Sequence, residues 1–294
     1  MANYTSLYTG AQIDNAVASG STATGRILNT TAGGAPLSFA SGSSDTFHTV
    51  SPPFVRGLIP GLKVWNLNSD TSGTELPVQD AATTSPWLFD NASGAVAKLN
   101  TDSDFDEGAI TLTTGGSSGN QNEISTKAAP FRCSANHQWW AETEFKIDDH
   151  DVNEFFFGVV EEAITTDSWH LVAAAAGKDK VGFVKDVHST DAIKYAACKN
   201  SGGTIGTAFT SAQTYDADNT ILHLGLHWDG SAINYYLSKR AAGATRGPLT
   251  LLQSYSTSAG IPDDSNLRLA LYHETGAAED QTMTINFIRG AIWT

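Results

Sequence analysis

The chain has little of the charge that nucleic-acid-binding proteins use. Charged residues make up only 16% of the sequence, and 17 lysines and arginines stand against 31 aspartates and glutamates, which gives a net charge of −14. Such an excess of negative charge repels a phosphate backbone and an anionic membrane surface. No run approaches the ~18 consecutive apolar residues that a transmembrane helix needs. The composition therefore argues against nucleic-acid and membrane partners.

Cysteines and targeting signals are also scarce. Cys133 and Cys198 are the two cysteines, so the sequence contains neither a zinc-type cysteine pair nor a disulfide framework, and it leaves open whether the two are bonded. Residues 1–5 lack the basic and apolar regions of a signal peptide. We therefore expect synthesis in a cytosol, without signal-directed export.

Motifs that carry catalysis or bind a cofactor are missing as well. The chain has no H-E-x-x-H, P-loop or G-x-G-x-x-G sequence, and residues 115–119, which do spell G-x-S-x-G, are a Gly- and Ser-rich stretch that we interpret as a flexible loop and not as a nucleophile elbow. His223 and His227 are four residues apart, which is about 13 Å along a strand, and one zinc ion cannot bridge that distance. The sequence thus predicts a protein without a cofactor and without enzymatic activity.

What the chain does contain is period-two alternation of apolar and polar residues from about residue 101 to residue 294. Alternation of this kind buries one face of a strand, and many such strands in series form a sandwich of two antiparallel sheets. We predict an all-β jelly roll over residues 99–294, with a two-residue hairpin turn at Asp229-Gly230. The clearest predicted strands are the runs 139–147, 154–160, 221–228, 267–272 and 283–288.

Two segments precede the predicted sandwich. Residues 1–25 are predicted to form an arm with a short helix, in which Ile13 and Val17 share one side. A helix of about ten residues is marginal alone in water, so it must dock on its own sandwich, on another copy or on a larger assembly. Residues 26–98 are predicted to form a small β-rich or extended element. We assign Tyr8, Ile13, Val17 and Trp65 to docking or assembly.

Glu142 and Glu144 have the spacing of a catalytic carboxylate pair. Two residues apart on one predicted strand, their side chains point to the same face about 6.5–7 Å apart, within the range used for glycoside hydrolysis. The same face carries Trp140, Lys146 and Asp148, and this alternation of charge is typical of a solvated strand. We therefore expect both carboxylates to be exposed to solvent and not catalytic.

Asp148, Asp149 and Asp151 cluster at the turn that follows this strand. Their carboxylates are the hard oxygen ligands that calcium prefers, yet the spacing fits no EF-hand loop. Acidic turns without a metal are far more frequent. We expect no metal, and these three aspartates are the residues that a calcium ion would use.

Aromatic residues supply candidates for sugar contact. In the adjacent pairs Trp139/Trp140 and Tyr235/Tyr236, one member must face away from the core, towards solvent or an interface. Trp140 and Tyr236 are the candidates for glycan contact. Core packing and subunit contact are the competing explanations for these rings.

Two stretches resemble proteins of tailed-bacteriophage virions. The segment 8–17, with the sequence YTGAQIDNAV, is similar to N-terminal segments of tail-fibre and other virion proteins. About 190 C-terminal residues resemble the concanavalin A-like (laminin-G/lectin type) jelly roll of phage structural proteins. That resemblance rests on the stretches 128–131, 140–147, 156–159, 180–183, 261–264 and 283–289.

This resemblance implies a non-enzymatic virion structural protein. The first hypothesis is a capsid decoration (cement) protein, a homotrimer whose arm laces between capsomers or trimer mates while the sandwich projects outward. Its partner would be the major capsid protein or another virion protein. The alternative is a tail fibre, spike or carbohydrate-binding module that recognises host surface glycans. A glycosidase is a further alternative, which a cleft over Glu142 and Glu144 would support.

Overall fold

The computed structural model describes residues 27–29, 38–40, 62–68, 86–91, 96–100, 102–105, 109–135, 137–161, 178–186, 191–199, 202–208 and 214–293. Among these residues no helix has the length and apolar character needed to cross a bilayer. The predicted arm 1–25, with Tyr8, Ile13 and Val17, lies outside the described residues.

The described residues form seventeen strands and one short 3₁₀ turn, Ser258–Gly260. The strands are, in chain order, β1 (Ile27–Asn29), β2 (Ser38–Ala40), β3 (Leu62–Asn68), β4 (Trp87–Asn91), β5 (Val96–Asn100), β6 (Ala109–Thr113), β7 (Gln121–Thr126), β8 (Gln138–Ile147), β9 (Asn153–Val160), β10 (Lys180–Lys185), β11 (Lys194–Lys199), β12 (Gly202–Ala208), β13 (Ile221–Trp228), β14 (Ile233–Arg240), β15 (Thr250–Tyr255), β16 (Arg268–Thr275) and β17 (Thr282–Trp293).

Two antiparallel sheets contain all of these strands except the β1–β2 pair. The seven-stranded sheet has the order β12-β11-β10-β9-β16-β7-β4, and the eight-stranded sheet has the order β15-β14-β13-β8-β17-β6-β5. β3 is the remaining strand of the eight-stranded sheet; it lies outside this linear order and pairs with residues 287–293 of β17. The prediction of an all-β antiparallel sandwich is therefore confirmed.

The core lies between the two sheets and follows from the alternation of side chains along each strand. In β8, Trp139, Phe145 and Ile147 belong to one large buried apolar cluster. Phe155 of β9 meets Phe145 across the two sheets, with ring centroids 5.2 Å apart and an edge-on angle of 74°. Burial of large apolar side chains such as these supplies most of the folding free energy. Cys133 and Cys198 are also buried, as two free thiols.

The region 26–98 contributes strands to the sandwich. β3 pairs with β17, β4 with β7 and β5 with β6, so residue 98 lies inside a strand of the eight-stranded sheet. A short strand without a core of its own becomes stable by adding to the edge of a larger sheet. Trp65, assigned to docking from the sequence, stands in β3 opposite Gly290.

The connection between β13 and β14 differs from the predicted two-residue turn. It has four residues, 229–232, between the paired ends Trp228 and Ile233. Asp229 organises it, because its Oδ1 accepts hydrogen bonds from the backbone N–H groups of Ser231 and Ala232 at 2.8 Å each. An aspartate that caps its own turn in this way favours the wider loop.

Candidate functional site

A cluster of charged side chains lies on the outer face of the eight-stranded sheet. The alternation that sends Trp139 and Phe145 into the core places Glu142 and Glu144 on the opposite face of β8. In the neighbouring strands, Arg289 of β17 is the register partner of Glu142, and His223 of β13 is the register partner of Glu144. Three adjacent strands therefore bring acids and bases together.

Glu144 is fully buried and accepts hydrogen bonds from three side chains. Arg246 donates from Nε at 3.0 Å and from Nη2 at 2.5 Å, Asn286 Nδ2 donates at 2.6 Å, and Arg240 Nε lies at 3.4 Å. Burial alone would raise the pKa of Glu144. The hydrogen bonds from Arg246 and Asn286 and the charge of Arg246 outweigh burial, so the pKa lies below its usual value. The carboxylate is therefore ionised at neutral pH.

Glu142 is also fully buried and binds a second pair of bases. His223 Nε2 lies 2.5 Å from Glu142 Oε1, and Arg289 Nε donates to Oε2 at 2.9 Å. The guanidinium of Arg289 lies over the ring of Phe287, 4.0 Å from the ring centroid. The expectation that both glutamates are solvated is therefore wrong, because bases from distant parts of the chain cover and neutralise them.

A network around Lys146 joins two loops at the edge of this cluster. Lys146 Nζ lies 2.5 Å from Asp104 Oδ2 and 2.9 Å from Asp102 Oδ2. Asp104 Oδ1 accepts a hydrogen bond from the backbone N–H of Gly243 at 2.8 Å, and Arg240 Nη2 donates to the backbone carbonyl of Asp104 at 3.0 Å. The loop 241–249 between β14 and β15 is thereby held against the loop 102–105.

The residues that make these contacts border an open cavity of about 430 Å³. Arg240, Arg246 and Arg289 line it together with Asn286 and Phe287, and the loop segments 103–104 and 243–245 complete the wall. Neither Glu142 nor Glu144 is among the lining residues; both lie beneath the arginines. The cavity surface therefore presents guanidinium groups whose positions are held by buried carboxylates.

The acidic turn after β8 lies apart from this cavity. His150 is its centre: its Nδ1 lies 2.7 Å from Asp218 Oδ1, and its Nε2 lies 3.2 Å from Asp151 Oδ1. Asp149 and Asp151 each belong to a group of potential metal ligands around His150, whereas Asp148 belongs to neither. Asp148 Oδ1 instead accepts hydrogen bonds from the backbone N–H groups of Asp149 and Thr282. The prediction of no metal at the three aspartates is untested, and calcium stays the alternative.

Trp140 and Tyr236, the two aromatic candidates, lie on the outer face as predicted, but both side chains are buried. Trp140 is fully buried and stacks on His227, with ring centroids 4.9 Å apart and planes 7° from parallel. Tyr236 is only 5% exposed. Burial lowers the pKa of His227 to about 4, so its ring is neutral at neutral pH. Glycan contact by these rings stays a prediction, and it requires ring faces that the structure does not expose.

Sequence reasoning missed the residues that build the cavity. Arg240 ends β14, Arg246 lies in the loop after it, and Asn286 and Arg289 stand in β17, so no local motif contains these residues. A usable signal was the spacing of acids on β8. Glutamates at alternate positions of a central strand need cations on the neighbouring strands if they are buried.

Comparisons with known proteins bear on the fold. No protein-family model and no curated protein matches the sequence. Among solved structures, a protein of unknown function from Shewanella oneidensis MR-1 is 11% identical with a TM-score of 0.50, over 79% of this chain and 87% of that one. Peanut lectin is 11% identical with a TM-score of 0.47, over 79% and 97%. A lectin from Bauhinia forficata in complex with GalNAc is 11% identical with a TM-score of 0.47, over 78% and 98%.

The predicted sandwich of two antiparallel sheets is confirmed, and the structure from Shewanella oneidensis is similar to it in fold. At 11% identity these likenesses concern the fold and leave the ligand open. They give no support to the resemblance to phage virion proteins.

Proposed function

We propose that this protein binds carbohydrate, without chemical conversion, in the arginine-lined cavity on the outer face of the eight-stranded sheet. The observation that carries the proposal is the cavity of about 430 Å³ whose guanidinium walls rest on fully buried carboxylates. Its volume lies within the ~300–1,000 Å³ typical of small-ligand sites. The sequence offered this function as the alternative to capsid decoration.

The cavity wall suits a polyhydroxylated ligand. The guanidinium groups of the wall can donate hydrogen bonds to a ligand in a fixed plane. The carboxylate of Asp104 and the loop carbonyls can accept hydrogen bonds from the ligand. Sugar hydroxyls both donate and accept, so one ring can satisfy both kinds of wall. Arg246 and Arg289 are already oriented by Glu144 and Glu142, which reduces the entropy lost when a ligand binds.

The same geometry argues against glycoside hydrolysis. A cleft does lie over Glu142 and Glu144, but the arginines stand between it and the carboxylates. A general acid must carry a proton at working pH, and the pKa of Glu144 is held below its usual value by Arg246 and Asn286. Glu144 therefore acts as an anchor for the arginines.

The virion functions stay predictions. Capsid decoration, threefold assembly and docking through Tyr8, Ile13 and Val17 rest on an arm outside the described residues. A tail fibre or spike that recognises host glycans would use the same cavity, so the proposed function is compatible with that alternative.

The experiment is a glycan array with the full chain, followed by calorimetry on each hit. Thr245→Trp places a bulky side chain at the cavity wall without altering an ion pair, whereas Thr250→Trp makes the same change on the exposed strand β15. We expect wild type and Thr250→Trp to bind alike and Thr245→Trp to bind at least tenfold more weakly. Equal binding by all three would place the sugar elsewhere.

A further inference from the structure

We infer that the saccharide taken by this cavity carries a carboxylate, as a uronic acid does; the inference rests on the proposed carbohydrate-binding function. The structure offers three separate observations, which are the layering of charge, the pairing of the acid in the wall with a lysine, and the covered ring of Phe287.

The layering of charge favours an anion at the cavity surface. Arg246 is 42% exposed and Arg289 is 24% exposed, whereas Glu142 and Glu144 beneath them are 0% exposed. Coulomb interaction weakens with distance, so the guanidinium layer dominates the field that a ligand meets. Three of the chain's seven arginines gather here in a protein of net charge −14. A buried carboxylate layer lets these cations assemble without presenting negative charge to the ligand.

The acid in the wall does not reverse this field. Asp104 is the acidic side chain among the described lining residues, and its carboxylate binds Lys146 Nζ and the N–H of Gly243. Those contacts lower the pKa of Asp104, with the Lys146 hydrogen bond as the largest cause, so it stays ionised and paired. Lys146 shares its charge between Asp104 and Asp102, so it offsets Asp104 in part, and three guanidinium groups line the cavity against this one carboxylate.

The ring of Phe287 is not open for stacking. Arg289 lies over it at 4.0 Å from the centroid, Arg246 lies at 5.5 Å, and the residue is 3% exposed. A site that holds a neutral sugar by its apolar face needs an exposed aromatic face. Here the ligand meets guanidinium groups, whose positive charge and hydrogen-bond donors suit a carboxylate.

The test compares ligands that differ only in the acidic group. Calorimetry with the full chain would use the pairs glucuronate/glucose, galacturonate/galactose and mannuronate/mannose, with glucose 6-sulfate as the other anion. We expect at least one uronate to bind tenfold or more tightly than its neutral partner, with an affinity that falls as NaCl is raised. Arg246→Gln should reduce that preference below threefold, whereas Arg132→Gln, an exposed arginine outside the cavity wall, should preserve it.

The outcomes separate the two proposals. Equal affinity for both members of each pair overturns the carboxylate preference and leaves sugar binding intact. Binding of the 6-sulfate alone also overturns it, in favour of a tetrahedral anion. Binding of no saccharide overturns the proposed function together with the inference. If Arg246→Gln does not fold, Arg289→Lys provides the second test, because it keeps the charge and removes the planar guanidinium. An unchanged preference in that variant would count against the inference.

Discussion

The guanidinium of Arg246 binds both carboxylate oxygens of Glu144, although 102 residues separate the two in the sequence. Arg246 stands in the exposed loop 241–249, whereas Glu144 is fully buried in β8. A planar guanidinium that meets both oxygens of a carboxylate fixes direction as well as distance. The pair therefore ties the loop that walls the cavity to the centre of the sheet.

Replacement of Glu144 by glutamine should destabilise the protein. It leaves Arg240 and Arg246 close together without their shared anion, and loss of one partner of a buried ion pair costs about 3–5 kcal/mol. Urea denaturation at pH 7 measures this loss. Glu279→Gln, an exposed matched control, should change the free energy of unfolding by less than about 0.5 kcal/mol. Because the pKa of folded Glu144 is lowered, its contribution is present above its unfolded pKa and is lost as pH falls through the folded value. The difference in the free energy of unfolding between wild type and Glu144→Gln should accordingly become smaller at acid pH.

His227 should make the protein less stable between pH 6.5 and pH 4. The pKa of His227 is about 4 in the folded protein, so in this window the ring is protonated in the unfolded chain and stays neutral in the native state. Each unit by which the pH falls in this window therefore lowers the free energy of unfolding by about 1.4 kcal/mol. His227→Phe keeps a ring on Trp140 and removes the titration. Urea denaturation should show the stability of the variant relative to wild type rising by about 3 kcal/mol from pH 7 to pH 4. Between pH 7.5 and pH 8.5 the difference should be constant, and a constant difference down to pH 4 would contradict this assignment.

Gly158 should not tolerate a side chain. It pairs directly with Gly182 across β9 and β10, and a Cβ at Gly158 would lie 2.0 Å from the carbonyl oxygen of Val181. The colliding atom is backbone, so the two strands would have to separate. We expect Gly158→Ala to cost at least about 3 kcal/mol, at the upper end for overpacking. Gly116→Ala, whose nearest contact would be 3.4 Å from the end of Asp280, should fold normally. Thermal unfolding of both variants distinguishes them.

His150 should titrate above its ordinary range. Burial acts to lower its pKa, but the hydrogen bond with Asp218 and the charges of Asp151, Asp218 and Asp191 raise it. The raised value means that the pairing contributes stability below the unfolded pKa and loses it as pH rises through the folded one. A two-dimensional NMR titration of the ring should show a pKa that falls towards the ordinary value in Asp218→Asn. An unchanged titration in that variant would show that Asp218 does not hold the ring.

The strands could be predicted closely, because period-two alternation is a direct consequence of the pleat. The predicted run 221–228 coincides with β13, and 139–147 differs from β8 by one residue. The edge strands β4 and β5 were harder, since they are short and take their stability from β7 and β6.

The charged site was largely hidden from the sequence. Glu142 and Glu144 were recognisable as a pair on one face, but alternating charge on a strand describes a solvated face and a paired buried face equally well. The difference lies in Arg240, Arg246 and Arg289, which reach that face from two other strands and a loop. Long-range pairing of this kind depends on the order of strands in the sheet, which local pattern does not encode.

The position of β17 has a consequence for how the molecule is made. This strand fills the middle of the eight-stranded sheet, between β8 on one side and β6 and β3 on the other, yet it is the last of the described strands in the chain. During synthesis, the edge of β8 that pairs with β17 therefore has no partner until a strand more than 130 residues later in the chain has been made. Folding dominated by such distant pairings is slow, and an open edge invites association with other nascent chains. Removal of β17 should leave two half-sheets that cannot join, so the sandwich can assemble only after β17 has left the ribosome.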